Sequence, residues 1–344
     1  MVSRERKLAE LILDHSLKIR EGEYVMICDE IKNDSIAKEI FREALKRGAI
    51  PYFSSILTDD YKSRYENILR SWGIDEGLPD ADILFADRKY DSKIFLQDCL
   101  IGRMRCLEGK NYRYVLVSYP TKRAERDSGI PLPELENIFY RACLIDWEKQ
   151  AKKQEKIKKV FDKRDEVKIE GKNTDLLLKI EGEGRSCLGE MNIPDGEVYY
   201  NIGKDSVEGT IFFDQIPMPD KLGKIKGAKL EFRKGKIVNY SAKEGKDILD
   251  FLFEKEKVNE PEEFGIGANS EIDKITSIPG IDEKMNGTIH LGLESDEKED
   301  TFGEYKIHWD IVKDLRRNGK VYLNGELVQK DGEFLFCFSP NCKS

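Results

Sequence analysis

Residues 21–57 read EGEYVMICDEIKNDSIAKEIFREALKRGAIPYFSSIL, and this stretch decides the fold class. EGEYVMIC is a glycine turn followed by a short apolar run, which predicts a buried strand. DSIAKEIFREALKR (34–47) has the apolar spacing of an amphipathic helix, with Asp34 or Asn33 as its cap and Gly48 as its stop. AIPYFSSIL (49–57) returns to strand texture. Working outward, Arg4 to Arg20 places Leu8, Ala9, Leu11, Ile12 and Leu17 at helical spacing, while ADILFADR (81–88) and YRYVLVSYP (112–120) predict further strands. Strand–helix alternation of this kind predicts an α/β domain with a largely parallel sheet. No GxGxxG or GxxxxGK[ST] stands at a strand–helix turn, so the nucleotide-binding versions of that fold gain no support.

The texture changes after this region. ELENIFYRACLIDWEKQAKKQEKIKKVFDKRDEVKIEGKNTD (134–175) predicts one long helical pattern, very basic in its second half, whose plain reading is a solvated helix face joining two domains. Beyond it come short strands, glycine turns and acidic loops. We expect an N-terminal α/β domain over residues 1–165 and a C-terminal mixed α+β domain over 166–344, a division that suits a chain of 344 residues.

Composition excludes several functions. Fifty-eight basic against 66 acidic side chains leave a net charge of −8, which argues against nucleic acid as the main partner. Nothing approaches the ~20 consecutive apolar residues of a membrane span. The N-terminus, MVSRERKLAELILDHSLKIREG, lacks the apolar centre of a signal peptide. The seven cysteines are scattered, and the closest spacings, Cys99/Cys106 and Cys337/Cys342, fit no zinc-ribbon or CxxC pattern. Reduced thiols and a cytoplasmic location are the expectation.

Histidine is scarce. His15 lies on the first helix among apolar neighbours and is expected to be packed or on the surface, whereas His290 (GTIHLGL) and His308 (KIHWD) stand in short apolar strands. In a strand, His308 and Asp310 leave the same face, with Ile307 and Trp309 on the other. Glu197 follows a Pro-Asp-Gly turn, and Glu263 precedes two glycines that would let the backbone turn tightly. Carboxylates with imidazoles suit zinc, manganese, cobalt or ferrous iron.

Taken together, YRACLIDW (140–147), MNIPDGEVYY (191–200), DSVEGTIFFD (205–214), EFGIGAN (263–269), GTIHLGL (287–293) and IHWD (307–310) resemble the thermophilic aminopeptidase family, the metallopeptidases of the aminopeptidase T and aminopeptidase S type, with archaeal leucyl-aminopeptidase-like members. The resemblance extends to GELVQKDGEF (325–334) and keeps the family's order. It implies two divalent metal ions (zinc, cobalt or manganese) held by Glu197, Glu263, His290, His308 and Asp310; a carboxylate shared between the ions would be Glu197 or Glu263, and Glu263 is our choice for assisting proton transfer as well. It implies hydrolysis of N-terminal residues from short peptides by a metal-bridging water, and a homodimer. Where well-studied members carry a tyrosine after the first histidine, this chain has Glu297, inside ESDEKED (294–300); Tyr305 is out of register, and TFGE (301–304) partly follows another form of the family. A rival reading comes from a ring-cleaving relative, 2,5-dihydroxypyridine dioxygenase, for which His290, His308 and Asp310 would form a one-iron triad. A non-catalytic member keeping the fold is the third reading.

Overall fold

The computed structural model describes residues 2–29, 34–53, 91–97, 102–105, 112–218, 222–296, 298–300 and 303–336. Several sequence expectations fall outside them: the strand at 81–88, the cap Asn33, Cys99, Cys106, Cys337, Cys342 and Glu297, as well as the side chains of Asp34 and Tyr305.

Among the described residues a five-stranded parallel sheet runs in the order Ile50–Phe53, Tyr24–Asp29, Ser92–Gln97, Arg113–Ser118, Asn192–Ile193. The helix Asp34–Lys46 is the crossover between its first two strands. It buries Ile36, Ala37, Ile40, Phe41 and Ala44 against the sheet, and Gly48 (φ +70°) takes the left-handed turn that ends it. The N-terminal helix starts on Ser3, whose hydroxyl accepts from Arg6 N at 3.2 Å, and runs as α-helix over Arg4–Glu10 before widening into a π-turn over Leu11–Ser16.

The 134–175 pattern is not one long helix. It divides into Leu132–Cys143 and Trp147–Phe161, and Asp146 caps the second by accepting from Lys149 N at 3.0 Å. The pattern then ends in a strand, Glu166–Gly171, which turns at Asn173 (φ +50°) into the long strand Thr174–Cys187. Alternation in EVKIEG carries the reason: Val167 and Ile169 are buried two apart, a strand period that the surrounding lysines obscure.

A second, largely antiparallel sheet of fourteen strands among the described residues fills the rest. Thr174–Cys187 joins its two parts, pairing with Glu166–Gly171 at one end and with Glu197–Ile202 at the other. Two hydrophobic clusters result. One gathers Leu8 to Cys143 around the parallel sheet and adds Ile193, Ile272, Ile278, Ile281 and Met285. The other runs from Ile157 to Val328. No helix among the described residues is long and apolar enough to cross a membrane.

Candidate metal centre

Four neighbouring antiparallel strands build the site: Glu197–Ile202, Glu260–Gly267, Thr288–Glu294 and Gly303–Asp314. Glu263 lies opposite Gly292, and Gly292 opposite Asp310. One step along the same face, Gly265 lies opposite His290; a further step pairs Gly267 with Glu197, and in the other direction Glu294 lies opposite His308. Opposed residues and residues two apart leave the same face of a sheet. Glu197, Glu263, His290, His308 and Asp310 therefore share one face. The other face carries Val198, Phe264, Ile266, Ile289, Leu291, Trp309 and Ile311 into the core.

Two local devices make this possible. The first is a register shift between Pro261 and Glu263, a bulge that gives Glu263, not its neighbour Glu262, the place opposite Gly292. The second is a glycine floor. A Cβ on Gly265 would lie 1.9 Å from His290 Cε1 and 2.0 Å from its Nε2, and one on Gly292 would lie 2.8 Å from Glu263 Cβ and 2.9 Å from His308 Cε1. The expectation that Gly265 and Gly267 let the chain turn is thus corrected: both lie within a strand, where Gly265 clears the space over which His290 lies.

The polar atoms converge. His290 Nε2 is 3.4 Å from Glu197 Oε2 and 3.3 Å from Glu263 Oε1, and His308 Nε2 is 3.0 Å from Asp310 Oδ1. One ligand atom each from Glu263, His290 and Asp310 lies within 4.8 Å of the others. His308 Nδ1 is 2.9 Å from Glu294 Oε1, the carboxylate–imidazole contact that orients a metal-binding histidine. Burial opposes the charged form of His290, but Glu197, Glu263 and Asp310 outweigh it and hold its pKa up at about 9. His308 is raised as well, against its burial, by Asp310 and Glu294. Burial works to raise Asp310, yet His308 and His290 pull it well below the usual carboxylate range. The donor set fits a divalent cation: acceptor atoms from carboxylates and imidazoles are crowded together, and the buried Glu197 Oε2 makes no hydrogen bond within the protein.

Residues beyond the sequence reading complete the surroundings. Lys284 Nζ donates to Glu197 Oε1 at 2.5 Å, in a segment, DEK (282–284), that Met285 and Asn286 separate from the GTIHLGL block. The basic helix Trp147–Phe161 is more than a solvated face. Gln150 donates to Ala268 O at 3.2 Å, Lys153 to the same oxygen at 2.8 Å, and Gln154 to Cys187 O at 2.9 Å and to Glu197 O. It thereby ties down strand ends at the edge of the site. Burial lowers Lys153 to about 8. His15 lies apart from the site, packed on Trp147 at 5.5 Å with Nε2 2.6 Å from Leu188 O.

No curated protein matches the chain in sequence. Solved structures that share its fold include the following two. Wild-type AmpT from Thermus thermophilus is 18% identical with a TM-score of 0.65, over 97% of this chain and 99% of that one. A 2,5-dihydroxypyridine dioxygenase from Pseudomonas putida KT2440 is 16% identical with a TM-score of 0.58, over 97% and 98%. Residues 100–318, which include every residue of the glycine-floored face, match the family model described as thermophilic metalloprotease (M29). With most of its length matched in this way, the chain belongs to the thermophilic metalloprotease (M29) family.

Proposed function

We propose that this chain is a metal-dependent aminopeptidase that releases N-terminal residues from short peptides, with two divalent ions (zinc, cobalt or manganese) held by Glu197, Glu263, His290, His308 and Asp310. The observation that carries this reading is the convergence of those side chains on one glycine-floored sheet face, within a metalloprotease family. Divalent ions bound there would supply an acidified water and a polarised scissile carbonyl. Glu263 is the natural proton carrier. Its side chain is 22% exposed while that of Glu197 is 5% exposed, so its carboxylate reaches both the imidazole and the space open to substrate. Its carboxylate would take the proton that the attacking water gives up and return it to the departing amine. Glu294 keeps the ring of His308 in one orientation. The release of N-terminal residues and the homodimer follow from the family resemblance; the two-domain division at 165/166 follows from the change of sequence texture there, and the scattered cysteines support a cytoplasmic setting.

Metal identity and number per chain, on protein purified anaerobically without a histidine tag, test this reading first. About two zinc, cobalt or manganese ions with hydrolysis of short peptides is the expected result. One iron per chain, with ring cleavage and no peptidase activity, overturns it in favour of the His290–His308–Asp310 triad. His308→Ala is expected to drop the content by roughly one ion per chain, and unchanged stoichiometry would remove His308 from the ligand set.

Metal uptake should also follow pH. With His290 raised from 6.5 to about 9, the metal-free centre carries an imidazolium at neutral pH, and a metal must displace its proton. Affinity therefore climbs as pH rises toward about 9 and flattens above it, and binding at pH 7 releases protons. The stabilisation that the imidazolium gives the metal-free fold runs the other way: it is complete below 6.5 and fades as pH rises through about 9. Calorimetric titration in buffers of different ionisation heat measures the released protons, and an identical heat in all of them contradicts the expectation.

A further inference from the structure

Lys284 is 1% exposed, so its ammonium has no water to rely on. Its Nζ lies 2.5 Å from Glu197 Oε1, 2.8 Å from Glu283 Oε1 and 3.8 Å from Asp195 Oδ1. Both carboxylate oxygens of Asp195 are engaged by backbone, with Oδ2 accepting from Gly189 N at 3.0 Å and Oδ1 from Gly196 N at 2.9 Å. Glu197 is therefore split. One oxygen rests on Lys284, while the other, Oε2, is buried, makes no hydrogen bond and lies 3.4 Å from His290 Nε2.

The backbone under Lys284 is held on both sides. Asp282 Oδ1 accepts from Thr276 N at 2.7 Å and its Oδ2 from Ser277 N at 2.9 Å, which closes the turn before it. Lys284 O accepts from Asn269 N at 2.8 Å, and Gly196 O accepts from Ala268 N at 2.8 Å. The segment that carries Lys284 is thus laced to the chain just ahead of Glu197. A charge held so rigidly makes an effective guide for the carboxylate it touches.

A second group near Glu197 has the composition of a metal site: Cys187, Asp195 and Glu197 place one ligand atom each within 4.8 Å of one another, all three residues buried. Lys284 Nζ already touches two of the three carboxylates beside it at hydrogen-bonding distance, Glu197 and Glu283, and faces Asp195. The cation that this inner group needs is supplied by the chain itself.

We propose that Lys284 is a positioning residue and the resident cation of the inner group: it occupies Glu197 Oε1, so that Glu197 offers the centre Oε2 alone, and it keeps the Cys187–Asp195–Glu197 group from taking an ion. Single-oxygen ligation by Glu197 leaves a coordination position open, which a hydrolytic centre needs and a structural one does not. This inference rests on the metal-centre reading above.

Cobalt(II) is the probe. A crystal structure of the wild-type protein loaded with Co(II) is expected to show Glu197 Oε2 on an ion, Oε1 still on Lys284 Nζ, and no ion between Cys187 and Asp195. Two-oxygen ligation by Glu197, or an ion in the inner group, overturns the proposal. In solution, Lys284→Met frees Oε1 to join the ion, raises its coordination number and weakens the visible Co(II) absorption per bound ion. Glu283→Gln removes the charge of the other close partner of Lys284 but leaves its contact with Glu197, and is expected to keep the wild-type spectrum. An unchanged Lys284→Met spectrum, or the same change in both variants, overturns the proposal, since neither singles out the Lys284–Glu197 contact. If Lys284→Met does not fold, the wild-type crystal structure alone decides. Wild-type protein that takes up no Co(II) overturns the metal-centre reading, and this proposal with it; cobalt bound with Glu197 ligating through both oxygens overturns this proposal alone.

Discussion

Gly265→Ala is expected to cost the protein roughly one bound ion per chain and its peptidase activity, although no candidate ligand has been changed. The added methyl would sit 1.9 Å from His290 Cε1 and 2.0 Å from Nε2, distances that no rotamer adjustment of the methyl can relieve. Gly265 lies within a strand paired on both sides, with Tyr199 and with His290, so its backbone has little freedom to withdraw. The imidazole must swing away, and it takes its nitrogen from Glu197 and Glu263. Overpacking of this kind costs about 1–3 kcal/mol in stability, so a folded variant with a lowered Tm is expected. Gly171→Ala is the matched control. Its Cβ would meet Leu315 Cδ2 at 3.7 Å, an ordinary contact, and should spare both metal content and turnover. Metal analysis and thermal melting of the two variants side by side check this. A Gly265→Ala protein that keeps its full metal complement would show that His290 does not ligate from its position over Gly265.

Glu263→Gln is expected to lower kcat by about 10²–10⁴-fold while the fold persists, as suits the loss of a proton carrier. Glutamine keeps the size of the side chain and loses the basic oxygen. At 22% exposure Glu263 is in contact with water, so the change leaves no buried charge without a partner. Glu197 differs in this respect. Its carboxylate, 5% exposed, lies against the 2%-exposed Lys284 side chain, and neutralising it leaves that buried ammonium with Glu283 as its one close carboxylate, which lowers stability as well as touching the chemistry. Loss of activity in Glu197→Gln would thus mix folding with chemistry, whereas Glu263→Gln separates them. Steady-state kinetics with short peptides, together with melting curves, provide the check. Near-normal turnover in Glu263→Gln would take Glu263 out of the centre.

Local patterns carried much of the architecture. The strand and helix at 24–46 could be read from apolar spacing and from Gly48, because each element buries one face against a single sheet. His308 and Asp310 could be placed on one face with Ile307 and Trp309 on the other, since a strand alternates with a period of two and the core takes only one side. The helical reading of 134–175 failed where two periods meet. Charged residues continue from Trp147–Phe161 into the following strand, EVKIEG, and only Val167 and Ile169 mark the change.

What the sequence by itself determined, then, is the α/β class, the strand character around His290 and His308, and a donor set of carboxylates and imidazoles suited to a divalent ion. What only the tertiary structure decided is how those donors meet. The bulge that selects Glu263 over Glu262 depends on pairing with Thr288–Glu294, and the purpose of Gly265 depends on a histidine in the neighbouring strand. Glu294 finds His308, and Lys284 finds Glu197, across 14 and 87 residues of chain. These are contacts between strands and loops far apart in sequence. Their register is set by burying one face of a sheet against a common core, and no local spacing records it.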